Sequence, residues 1–198
     1  MEPLRGITDG RVQRSLRTRL AIVEAFRTLV AETGRFPTAE DLSERSGASI
    51  RTVFERFGDL AGVAAAVFDE ILEEYGDLPW PSPALALPER IERHVFLRSE
   101  VAERWQKGWR ILQDMDEERM SERVRLAVDA TRRQIETLYA PELASLDEPQ
   151  RQAVMVSLEA VLGLSVWIRM RDRHRLTVEQ ARRTWVEAAR RILSPGQP

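Results

Sequence analysis

Two arginines on one short predicted helix have the type and spacing to contact nucleic acid. Residues 47 to 59 read GASIRTVFERFGD, which puts Arg51 near the start of that helix and Arg56 near its end. An arginine can donate two parallel hydrogen bonds to O6 and N7 of a guanine, or to phosphate oxygens. Glu55 can accept a hydrogen bond from cytosine N4, or pair with Arg51 one turn earlier on the helix. The stretch therefore predicts a helix that contacts DNA.

Three predicted helices would hold this stretch in place. The first runs from about Leu16 to Thr33, the second begins after Thr38 as its N-cap, and the third begins after Ser49 and ends at about Arg56. Gly47 suits the left-handed backbone of a tight turn between the second and third helices. One small core is expected to join the three, formed by Ile22, Phe26, Leu29, Leu42, Val53 and Phe57. This is the helix-turn-helix pattern, in which the helix after the turn enters the major groove.

The rest of the chain has helical periodicity without sustained alternation of apolar and polar residues, so an all-α fold is expected. Further helices are predicted at about residues 60–75, 89–106, 108–114, 117–139, 147–171 and 177–193. Asp147 with Gln150 and Thr177 with Gln180 have the spacing of capping boxes, which would open the last two helices. Four prolines between residues 76 and 88 predict a loop.

The composition argues against catalysis and against a membrane span. The chain has no cysteine, so it cannot use thiolate catalysis or thiolate metal ligands. His94 and His174 lack the glutamate three residues earlier that di-metal helical bundles use, and no glycine-rich phosphate loop occurs. We therefore expect a protein that is not an enzyme, with no metal and no cofactor. The longest charge-free apolar run is far below the roughly 20 residues that span a bilayer, and a cytoplasmic location is expected.

Three segments resemble the TetR family of bacterial transcriptional regulators. They read IVEAFRTLVAETG from Ile22, TAEDLSERSGAS from Thr38 and RTVFERFGD from Arg51. The family's pattern in the last segment is matched by Thr52, Val53, Phe54 and Phe57. Phe54 stands where the family often has a tyrosine that bonds a DNA phosphate, and Leu60 replaces a common lysine. These two departures remove two usual phosphate contacts.

The resemblance implies that residues 1–59 form a DNA-binding domain with an arginine-rich N-terminal arm. Residues 1–19 carry five arginines against two acidic residues, an excess that suits phosphate or minor-groove contacts. Thr38 offers a hydroxyl and a helix N-terminus to phosphate, as the family implies. The predicted DNA contacts are Arg17, Thr38, Ser49, Ile50, Arg51, Thr52, Phe54, Glu55 and Arg56.

The resemblance also implies that residues 60–198 bind an effector and form a homodimer. The dimer would use helices at about 153–168 and 177–193, unless those helices pack only inside one subunit. A pocket for a small apolar or aromatic molecule would be lined by Phe96, Trp105, Trp109, Met115, Met155, Leu158, Leu162 and Trp167. Leu126 is a further apolar candidate, although most such side chains are ordinary core.

The predicted function is therefore a ligand-responsive transcriptional regulator. As a TetR-like repressor it would bind a palindromic operator as a dimer and release it when the effector binds. Two alternatives remain open. One is a helical interaction protein that keeps the helix-turn-helix scaffold without DNA binding, and the other is an effector-independent DNA binder.

Overall fold

The computed structural model describes residues 10–113 and 117–194. Every regular element in those residues is a helix, which confirms the all-α fold. The helices are α1 (Gly10–Thr33), α2 (Ala39–Ser46), α3 (Ile50–Phe57), α4 (Leu60–Gly76), α5 (Leu87–Gln113), α6 (Glu117–Leu138), α7 (Ala140–Leu143), α8 (Glu148–Val161), α9 (Leu164–Asp172) and α10 (Val178–Leu193).

Helices α1 and α5 are longer than predicted. α1 begins at Gly10 instead of about Leu16, and the segments predicted at 89–106 and 108–114 form the single helix α5. Gly108 lies inside this helix. One glycine inside a helix costs only about 1 kcal/mol relative to alanine, which the packing of a long helix outweighs.

The helix predicted over residues 147–171 is in fact two helices, and this corrects the prediction. The first of them, α8, ends at Val161, and the second, α9, begins after Gly163. The chain bends by 42° between α8 and α9. Arg98 donates from Nε and Nη2 to the Leu162 carbonyl oxygen, at 3.0 and 2.8 Å. A helix end leaves carbonyls without partners, and this guanidinium satisfies one of them. The candidate dimer segment at about 153–168 is therefore not one straight helix.

The chain divides into two compact units. The first comprises Met1–Ile71 and Lys107–Met120, and the second comprises Leu72–Gln106 and Ser121–Pro198. The functional division after residue 59 stays a prediction.

The core of the first unit joins α1 to α4, as expected for a helix-turn-helix. Ile22 and Phe26 of α1, Leu42 of α2 and Val53 of α3 are all buried together. Leu29 and Phe57 lie partly buried at its edge, so the six residues predicted for this core are confirmed. Val63, Ala64, Ala66 and Val67 add the apolar face of α4.

The core of the second unit is built around two tryptophans. Trp167 of α9 and Trp185 of α10 are buried with ring centroids 4.6 Å apart. Trp167 donates its indole N–H to Glu103 Oε1 at 2.8 Å, which pairs the polar atom of a buried ring. Capping boxes at Asp147 and Thr177 begin α8 and α10, as the sequence predicts.

Candidate functional site

Hydrogen bonds at Thr38 fix the start of α2. The Thr38 hydroxyl accepts from the Asp41 backbone N–H at 3.1 Å, and the Asp41 carboxylate accepts from the Thr38 backbone N–H at 2.9 Å. That backbone donor lowers the pKa of Asp41, because it favours the charged carboxylate. The exposed N-terminus of α2 therefore keeps its predicted N-cap, next to which a phosphate could bind.

The turn between α2 and α3 has the backbone that its glycine predicts. Gly47 has φ 71° and ψ 6°, in the left-handed region, and its N–H donates to the Ser43 carbonyl at 3.0 Å. Ser49 then caps α3 by accepting from the Thr52 N–H at 3.1 Å. The two hydroxyls of Ser49 and Thr52 also bond each other at 2.8 Å.

Helix α3 has one buried face and one exposed face. Val53 is fully buried and Ile50 is half-buried, whereas Phe54 is 40% exposed. The side chain of Arg51 is 87% exposed, and its Nε lies 2.7 Å from Glu55 Oε1. This contact uses one side of the guanidinium and leaves both terminal nitrogens, the two donors that a guanine edge needs.

Arg56 lies against α1 instead of projecting from the exposed face. Its Nη1 donates to Ser15 Oγ at 2.6 Å, and its Nε is buried without a hydrogen-bond partner. Arg45 binds Glu32 of α1 through both terminal nitrogens, at 3.0 and 2.7 Å. These two arginines therefore hold the helix-turn-helix together, while Arg51 and the exposed Arg17 remain accessible.

A cavity of about 580 Å³ lies in the second unit. The last turns of α4, the loop before α5 and the middle of α6 form its wall. Its lining residues are Leu72, Glu73, Tyr75, Gly76, Trp80, Pro81, Leu126, Ala130, Arg133, Gln134, Thr137 and Leu138. Only Leu126 was among the apolar candidates in the sequence.

Of the eight predicted ligand-binding residues, the seven that the structure describes do not line this cavity. Four of them belong to the core: Met155, Leu158, Leu162 and Trp167. Phe96 is 51% exposed, and the guanidinium carbon of Arg182 lies over its ring, 4.6 Å from the ring centroid. Trp105 and Trp109 are half-buried on α5, and Met115 lies outside the described residues. Apolar composition alone cannot separate a core residue from a pocket residue, so ligand contact by these eight side chains stays a prediction.

A polar network stands beside the cavity. Arg98 Nη1 donates to Tyr75 Oη at 2.6 Å, and Tyr75 Oη bonds Gln134 Oε1 at 3.0 Å. His94 Nδ1 bonds Tyr139 Oη at 2.9 Å. Burial holds the pKa of His94 well below its ordinary value and the charge of Arg98 lowers it further, so the imidazole is neutral. Burial raises the pKa of Tyr139, whose hydroxyl is therefore protonated.

The described residues contain no group of three or more His, Asp or Glu side chains placed to hold a metal ion. No single described helix is long and apolar enough to cross a membrane, and only the bent pair of α8 and α9 reaches that length and composition jointly.

Comparison with solved structures identifies the fold. A protein from Rhodococcus sp. assigned to the TetR family of transcriptional regulators aligns with a TM-score of 0.66 and 21% identity, over 89% of this chain and 99% of that one. A TetR-family protein from Mesorhizobium loti aligns with a TM-score of 0.59 and 14% identity, over 93% and 96%. A TetR-like transcriptional regulator from Rhodococcus sp. RHA1 aligns with a TM-score of 0.54 and 18% identity, over 93% and 97%. No protein-family model and no curated protein matches the sequence. The chain therefore has the fold of TetR-family regulators, as its resemblance indicates.

Proposed function

We propose that this protein is a TetR-like transcriptional regulator that binds a palindromic operator as a dimer. The exposed arginine of α3 carries the proposal. Arg51 lies in the first turn after the Ser49 cap, on the outer face of the helix that follows the turn, with two terminal nitrogens left for a base edge. The shared fold supports the same function, because the structures with which the chain aligns are assigned as transcriptional regulators.

A dimer is proposed because one helix-turn-helix makes too few contacts for useful specificity. An exposed face of α8 suits this role. Four exposed residues lie on one side of this helix, because they are spaced by three, one and three positions: Ala153, Val156, Ser157 and Ala160. They are small or apolar, so a second helix could approach closely there.

Regulation by a small molecule is the remaining part of the proposal. The cavity of the second unit falls within the roughly 300–1,000 Å³ that ligand pockets occupy. A small apolar or aromatic effector in it would release the operator by favouring a conformation with lower affinity for DNA. Repression is proposed because the TetR-like pattern implies it.

The proposal is tested by a mobility-shift assay with the DNA that flanks the coding region, repeated over a salt series. Saturable binding to a short palindrome is expected. It should weaken steeply as salt rises, because each phosphate contact contributes a slope of about −0.9 in log affinity against log salt. Weak binding that is indifferent to sequence would overturn it, whatever its dependence on salt.

The alternative of an interaction protein without DNA binding also has an observation in its favour. Phe54 is 40% exposed and offers an aromatic ring, not the phosphate-bonding hydroxyl of the usual tyrosine. The same assay separates the two functions, since an interaction protein would show no preferred DNA site.

A further inference from the structure

Helix α3 presents an apolar strip beside a polar one. The polar strip is Arg51 and Glu55, four residues apart, with Arg51 Nε 2.7 Å from Glu55 Oε1. The apolar strip is Ile50 and Phe54, which have the same spacing and are offset from the polar strip by one residue. Val53 is fully buried and lies on the opposite side of the helix from the polar strip. The outer part of α3 therefore offers charged and apolar side chains next to each other.

The ring of Phe54 is not part of the core of the first unit. It is 40% exposed, whereas Phe57 packs at the edge of that core. The guanidinium carbon of Arg19 also lies 4.8 Å from the centroid of the Phe57 ring. Among the described residues, the Phe54 ring pairs with no other aromatic ring and with no guanidinium. Its apolar surface stays in water, so removing it from water against a partner is favourable.

The major groove of DNA contains one apolar group that suits such a ring, the C5 methyl group of thymine. The other three bases present hydrogen-bond donors and acceptors there. A phenyl ring carries no hydroxyl, so Phe54 cannot bond a phosphate as the usual tyrosine does. On a helix that enters the major groove, the thymine methyl group is therefore the base feature that Phe54 can recognise.

The apolar strip lies on the part of α3 where base contacts are made. Ile50 is the first residue after the Ser49 cap, and Phe54 follows one turn later. Residues near the N-terminus of a recognition helix contact base edges. Phe54 and Arg51 are three residues apart, so their Cβ atoms lie about 5–6 Å from each other, which is less than two steps of about 3.4 Å along a DNA strand. A base that contacts Phe54 is thus close to one that contacts Arg51.

We propose that Phe54 recognises thymine by packing its ring on the C5 methyl group, beside the guanine that Arg51 contacts. The exposed part of Ile50 extends this apolar contact. The inference rests on the proposed function, in which α3 enters the major groove of an operator. It adds a thymine to the guanine of each half-site. It also gives the change from tyrosine a consequence, because a base contact replaces a phosphate contact.

Replacing thymine with deoxyuridine in the operator tests the inference, because the two bases differ only in the C5 methyl group. The duplex is the palindrome that the wild type prefers in the mobility-shift assay, and each symmetric pair of thymines is replaced in turn. The guanine that Arg51 contacts is the one at which Arg51→Ala loses discrimination. At a thymine pair beside that guanine, affinity should fall by about fourfold for each methyl group removed, as expected for one buried apolar carbon.

Three variants assign the effect to Phe54. Phe54→Ala should bind the thymine and deoxyuridine duplexes equally, because it has no ring to pack on the methyl group. Phe54→Tyr keeps the ring and should keep the preference for thymine. Val128→Ala is the matched control, since it shortens an apolar side chain of similar exposure, 38%, on α6. It should discriminate like the wild type. Circular dichroism confirms that all three variants are folded.

Three outcomes overturn the inference. The preferred palindrome has no thymine beside the guanine that Arg51 contacts, no deoxyuridine replacement there weakens binding, or Phe54→Ala keeps the dependence on the methyl group. The last result would assign that dependence to the shape of the DNA. A preferred palindrome without methyl dependence contradicts only the recognition of thymine, whereas the absence of any preferred palindrome contradicts the proposed function as well.

Discussion

The ion pair between Arg51 and Glu55 orients the guanidinium that we propose contacts a DNA base. Glu55 Oε1 holds Arg51 Nε at 2.7 Å on an exposed helix face. Such a pair adds little stability, about 0.3–0.5 kcal/mol, so its value lies in fixing the direction of the guanidinium. The sequence left two roles for Glu55, reading cytosine or holding Arg51, and the contact favours the second.

Glu55→Ala is therefore expected to loosen base discrimination without unfolding the protein. Preference for a guanine at the position that Arg51 contacts should fall by about 1 kcal/mol or more, as measured by competition between operator variants. Glu55→Gln is the control, because its amide oxygen can still accept from Arg51 Nε. If both variants instead lose discrimination at a cytosine, Glu55 reads the base itself.

The exposure of Arg51 could be predicted from the sequence, whereas the contact of Arg56 with α1 could not. Exposure at the start of a capped helix follows from local spacing, so Arg51 could be placed from the sequence. The partner of Arg56 is Ser15, 41 residues earlier, and no local pattern indicates that contact. Tyr75, Trp80 and Gln134 were missed for the same reason, since their shared cavity joins segments far apart in the chain.

Among the elements, α4 begins with an unusually close backbone contact. A Cβ at Gly62 would lie 2.0 Å from the Phe57 carbonyl oxygen, which no side chain can tolerate without movement of α3 or α4. The Gly62 N–H also donates to Asp59 Oδ1 at 2.8 Å. Gly62 therefore sets the distance between the end of α3 and the start of α4.

Gly62→Ala is expected to destabilise the protein by about 1–3 kcal/mol or more, as overpacking does. Gly76→Ala, at the other end of α4, is a matched control. A Cβ there meets nothing within 4 Å, and alanine has the higher helix propensity. Urea unfolding of the two variants checks this. Equal midpoints for Gly62→Ala and the wild type would show that the close contact is not a constraint.

Helix ends with side-chain caps were predictable, and the break between α8 and α9 was not. Thr38, Ser49, Asp147 and Thr177 each cap the helix that the sequence assigns to them. The break at Leu162 is stabilised by Arg98, which lies 64 residues earlier. No local sequence pattern indicates such a distant partner, and the apolar run through Gly163 predicts a continuous helix.

For the whole molecule, the exposed face of α8 predicts self-association. Ala160→Arg would place a long charged side chain in the centre of the proposed interface, so it should convert a dimer to a folded monomer. Ala144→Arg is the control, because it makes the same change at an exposed alanine that follows the short helix α7. Sedimentation velocity distinguishes the species. A wild type that sediments as a monomer would contradict the dimer, as would an unchanged Ala160→Arg dimer.

The most direct test of the central claim is operator binding by Arg51→Ala beside Arg93→Ala. Both substitutions remove an exposed arginine that pairs with a glutamate one turn away, at 2.7 Å in each case. The account predicts that Arg51→Ala weakens binding to the preferred palindrome by about 1–3 kcal/mol for each lost guanine contact, and that Arg93→Ala binds like the wild type. Equal affinities for Arg51→Ala and the wild type would contradict recognition of DNA through α3.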